Sequence, residues 1–70
     1  MYPLAFARPG EDLIIRKVGG SHEVRTHLEN LGFVAGSNIK IVSEISGNLI
    51  VNVKESRVAI NKEMAQKIMV

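Results

Sequence analysis

At 70 residues, 46% of them hydrophobic, the chain has room for one core and none for a two-lobed active-site cleft. Nine Lys and Arg stand against seven Asp and Glu, a formal net charge of +2. The signs alternate through Glu11, Asp12, Arg16, Lys17, Glu23, Arg25 and Glu29, a mixed solvated surface and not the basic patch that nucleic acid selects. With no cysteine and only two histidines, packing has to hold the fold without disulfides, helped by any self-association.

The opening "MYPLAFARPG" carries both prolines and ends in Pro9-Gly10, a turn signal ahead of an extended run. Leu13-Ile14-Ile15 is as long as any apolar run near the start, so no signal peptide is expected and the reading is cytoplasmic. No stretch approaches the roughly 20 apolar residues of a membrane span. Residues 12 to 18 read as one strand, because Ile14 and Ile15 are β-branched, the flanks are charged, and "VGGSH" behind them breaks any helix.

Ser21 is a good N-cap and Glu23 sits where the helix dipole favours a negative charge. Val24, Leu28 and Leu31 then recur at i, i+4 and i+7, which predicts a helix of about ten residues. Gly32 suits the left-handed position after the helix, with Phe33 folding back on Leu28 as in a Schellman stop. A Gly-containing turn after a short helix also opens a helix-turn-helix DNA reader. The residues that follow argue against that reading.

After Gly36 the hydrophobic period changes to two. Ile39 and Ile41 alternate with Asn38 and Lys40, then Leu49, Val51 and Val53 with Asn52 and Lys54, then Val58 and Ile60 around Ala59. Ser46-Gly47-Asn48 predicts a tight first hairpin, and a second, lacking glycine, is expected around Glu55-Ser56. Asn61 caps a last short helix presenting Met64, Ala65 and Ile68, and "IMV" ends the chain as a strand. The expected fold is mainly β with short helices: a small partly open barrel of strand, helix, three-stranded antiparallel meander, short helix and terminal strand.

Few residues offer chemistry. Glu23 and His27 lie one helical turn apart and are weak candidates as metal ligands, whereas His22, five residues from His27, points elsewhere. Two ligands from one helix fall short of the three or four that zinc-type sites use, so no metal site and no cofactor are expected. None of the serines has a His and an acid nearby in sequence, and "VGGSH" lacks the spacing and the Lys of a phosphate loop, so the chain does not read as an enzyme. Leu28, Phe33 and Met64 are candidates for an apolar groove between helix and barrel, where a partner protein would sit.

The order Leu4, Gly10-Glu11, Ile14, Gly19-Gly20, "HLENLGFVAG", "SGN" and a terminal "AxxIxV" resembles FeoA-type proteins, the small ferrous iron transport protein A family. The resemblance spans essentially the whole chain, read as a single domain over residues 1–70. Its most specific element is Leu28, Leu31, Gly32, Phe33 and Gly36 ahead of an alternating strand. It implies an SH3-like barrel in the bacterial cytoplasm, a non-enzymatic accessory that binds and modulates the GTP-binding membrane transporter of ferrous iron, FeoB. Ala35 stands where the family often has Pro, and Glu55-Ser56 lacks its frequent glycine. The alternative reading is a nucleic-acid-binding small barrel, or the SH3-like regulatory module of iron-dependent repressors.

Overall fold

A computed structural model of the chain describes all 70 residues. A 3₁₀ turn at Leu4–Phe6 precedes β1 (Asp12–Ile14) and β2 (Lys17–Val18), followed by helix α1 (His22–Asn30). The meander β3 (Asn38–Ile45), β4 (Asn48–Val53) and β5 (Ser56–Ile60) leads into α2 (Lys62–Ala65) and β6 (Ile68–Met69). Four strands form one antiparallel sheet in the order β1-β3-β4-β5, and β2 pairs with β6 in a second.

The single strand expected over 12–18 is bent in two. The Ile15 amide donates to Ser37 on the β3 side at 2.9 Å, and the next amide, Arg16, donates to Met69 on the β6 side at 2.7 Å. The change of partner at Ile15-Arg16 splits the run and carries it from one sheet into the other. Such a switch depends on strands distant in sequence, which local alternation does not report.

Helix α1 ends as its sequence predicts. The Phe33 amide donates to the Leu28 carbonyl at 3.0 Å and the Gly32 amide to the Glu29 carbonyl at 3.0 Å, the two hydrogen bonds of a Schellman stop. Gly32 takes a φ of +106°, outside the range of comfortable L side chains. Phe33 is thereby turned into the core, where full burial of such a side chain is worth about 1.5–3 kcal/mol.

The strands of the meander bury alternate residues: Ile39 and Ile41 from β3, then Leu49, Val51 and Val53 from β4. Register shifts between Ile41 and Ser43, leaving Val42 as a bulge that bends β3 where the sheet curls. Ser46 and Gly47, both at positive φ, close the first hairpin as a two-residue turn. The second turn lies one residue earlier than expected: Val53 pairs with Ser56, and Lys54 and Glu55 take φ of +48° and +65°. Two non-glycine residues accept the left-handed region there because the register of β4 and β5 fixes a two-residue connection.

All 15 buried residues are hydrophobic. The proline-bearing opening segment, read from sequence only as far as its turn, contributes Leu4 and Ala7 to this core through its 3₁₀ turn. Tyr2 and Val70 exchange two backbone hydrogen bonds, at 3.0 and 2.9 Å, so the first residues flank the last strand.

Candidate protein-docking site

Helix α1 places Glu23, Val24, Thr26, His27 and Asn30 along one wall of an open cleft of about 460 Å³, and α2 supplies Met64 as the facing wall. Both walls are fixed by caps. The Ser21 hydroxyl accepts the Val24 amide at 3.2 Å, and the Asn61 side-chain carbonyl accepts the Met64 amide at 2.8 Å. Each cap thus satisfies an orphan helix donor and holds the backbone of a cleft residue at the same time.

Of the three residues expected to line a groove, two lie in the core. Leu28 and Phe33 are both 0% exposed and fill the core beneath α1, so neither has surface to offer a partner. Helical periodicity marks the buried stripe of α1 correctly, and the groove lies instead along the neighbouring stripe, at the margin of the helix. Met64 is half-buried and lines the cleft. Val24 joins it as an apolar wall, a role its place in the same periodic set could have suggested. Thr26 and Asn30 carried no signal beyond their place on the exposed side of the helix.

Glu23 and His27, one turn apart, share this cleft, while His22 lies outside it. No three His, Cys, Asp or Glu side chains anywhere in the fold come together as a group that could hold a metal ion. Around Glu23 and His27 the other heteroatoms are the hydroxyl of Thr26, the amide of Asn30 and the thioether of Met64, which are weaker partners for a hard or borderline divalent ion. The arrangement suits contact with a protein surface: apolar Val24 and Met64 flanked by groups that accept and donate hydrogen bonds.

The sheet carries no cationic stripe. Asp12, Lys40, Asn52 and Arg57 stand side by side across β1, β3, β4 and β5, and Arg57 donates to the Asn52 side chain at 3.3 Å. Of the aromatic residues Phe33 is enclosed, leaving Tyr2 and Phe6 at the surface. Neither the charge row nor the aromatics form a platform on which bases would stack.

The FeoA domain model matches residues 2–70. The chain belongs to the FeoA family. It is 39% identical over its whole length to a candidate Fe(2+) transport protein A of Methanocaldococcus jannaschii, of which it covers 85%. Its fold superimposes on the crystal structure of an iron uptake regulatory protein, FeoA, with a TM-score of 0.91 and 32% identity, covering 99% of this chain and 92% of that one. A FeoA of Stenotrophomonas maltophilia, crystallised with zinc and described as an SH3 domain protein, shares the fold at a TM-score of 0.88 and 22% identity, over 100% of this chain and 89% of that one. The barrel of this FeoA-family chain is accordingly SH3-like, and the family is one of transport accessories, not of catalysts.

Proposed function

We propose that the chain is a cytoplasmic accessory protein of ferrous iron uptake that binds the cytoplasmic part of the GTP-binding transporter FeoB, docking through the cleft between α1 and α2. Membership of the FeoA family over residues 2–70 is the observation that carries this reading. The cleft supports it by joining a half-buried methionine, an adaptable apolar contact, to polar neighbours on a capped and therefore rigid helix.

Affinity capture of detergent-solubilised FeoB, without nucleotide and with GDP or a GTP analogue, tests both parts. The parent chain binds in at least one of these states. Met64→Asp places an uncompensated charge against the partner and weakens binding about tenfold or more, while its circular dichroism stays that of the parent. Failure of the parent to bind in every state overturns the transporter assignment. Undiminished binding by Met64→Asp overturns only the placement of the contact.

A further inference from the structure

The chain holds no cysteine and no tryptophan, so its three methionines are the side chains that a mild two-electron oxidant attacks first. They stand in different settings. Met1 is 78% exposed. Met69 lies in β6, where it pairs with Lys17. Met64 lines the cleft between α1 and α2, which neither of the others reaches. There the Asn61 side chain accepts the Met64 amide at 2.8 Å and the Met64 carbonyl accepts the Lys67 amide at 3.0 Å, so the backbone is held on both sides. The thioether is therefore presented, half-buried, from a fixed backbone into an open cleft that a small solute enters.

Of the six residues that line the cleft two are hydrophobic, Val24 and Met64, so half of its apolar lining is one sulfur-bearing side chain. The wall opposite Met64 is rich in donors. Thr26 offers a hydroxyl, His27 a ring N–H and Asn30 a side-chain amide, and none of the three takes part in a side-chain hydrogen bond within the fold. A thioether sulfur is a weak acceptor for such groups, whereas a sulfoxide oxygen is a polar one.

We infer that Met64 is an oxidation site for peroxides and that its sulfoxide closes the cleft to the docking partner; the inference rests on the docking reading given above. Hydrogen peroxide transfers one oxygen atom to the sulfur lone pair. The S–O bond forms as the O–O bond breaks, the sulfur gives up two electrons, and the other oxygen leaves with both hydrogens as water. The new oxygen makes half of the apolar lining polar, and it takes up a donor of Thr26, His27 or Asn30 that a partner would otherwise use. Enzymatic reduction of the sulfoxide regenerates the thioether, so the cleft reopens.

The test treats the full chain with hydrogen peroxide, follows each methionine by peptide mass, and compares FeoB capture by each variant before and after treatment. In the parent Met64 gains one oxygen while circular dichroism stays that of the untreated fold, and capture falls about tenfold or more. Methionine sulfoxide reductases specific for the two epimers together restore it. Met69→Leu, altered outside the cleft, loses capture on treatment as the parent does. Met64→Leu has no thioether at the site, and its own level of capture is the same before and after. Without FeoB, the side-chain resonances of His27 and Asn30 shift on oxidation of the parent and stay in place in Met64→Leu. Capture that survives full conversion of Met64 overturns this inference and leaves the docking reading standing. So do a Met64 that stays unmodified until the chain unfolds, and a loss of capture in treated Met64→Leu. Absence of capture before any treatment, in every nucleotide state, overturns the docking reading and this inference with it.

Discussion

At Gly32 the helix stop, the core and the second hairpin meet. A β-carbon there would lie 3.6 Å from the side chains of Lys54 and Val53, which is ordinary contact, so space does not demand glycine; the φ of +106° does. Gly32→Ala therefore loses about 1–3 kcal/mol, read as a lower urea midpoint with unchanged slope. In a chain this short that is a large fraction of a total of about 4–10 kcal/mol. The opposite sign is expected at the hairpin over it, where Lys54 and Glu55 occupy the left-handed region that Asn-Gly fills at least cost. Lys54→Asn combined with Glu55→Gly raises stability by about 1 kcal/mol in the same urea measurement.

The caps act at the scale of the elements. Ser21→Ala and Asn61→Ala each remove one side-chain acceptor and cost about 1 kcal/mol in urea denaturation. Both also release a wall of the α1–α2 cleft, so amide exchange at Val24 and Met64 accelerates in the respective variant beyond the change in global stability. Elements were legible where their signals are local. Ser21, the spacing of Val24, Leu28 and Leu31, and Gly32 bound α1 in sequence, and period-two alternation marks β3 to β5. The bend at Ile15-Arg16 was not legible, since it comes from two partners in different parts of the chain, and the turn at Lys54-Glu55 was displaced because neither residue advertises positive φ. Leu28, Phe33 and Met64 were all read as groove residues; Met64 borders the cleft, whereas Leu28 and Phe33 lie in the core, because periodicity identifies an apolar stripe and does not say what lies above it.

For the whole molecule, the run from Asp12 to Val18 belongs to both sheets, and Leu4, Ile15, Leu28, Phe33 and Ile68 share one core cluster. Neither sheet has an interior of its own. Thermal unfolding followed by far-ultraviolet circular dichroism and by Tyr2 fluorescence gives coincident transitions, since loss of β6 from β2 uncovers the same residues that the four-stranded sheet covers. Separate midpoints would show that the bend at Ile15-Arg16 acts as a hinge between two independently stable parts.

The hydrogen bonds between Tyr2 and Val70 bear on the order in which the fold closes. Tyr2 waits for Val70 before its backbone has a partner, and Leu4 beside it stays uncovered until α2 and β6 are in place. Helix α1 and the meander hairpins are able to form from local contacts, but closure of the barrel is a late event of high contact order. The folding chain consequently carries Leu4 in the open until that closure, and that interval is when it has most to gain from a chaperone.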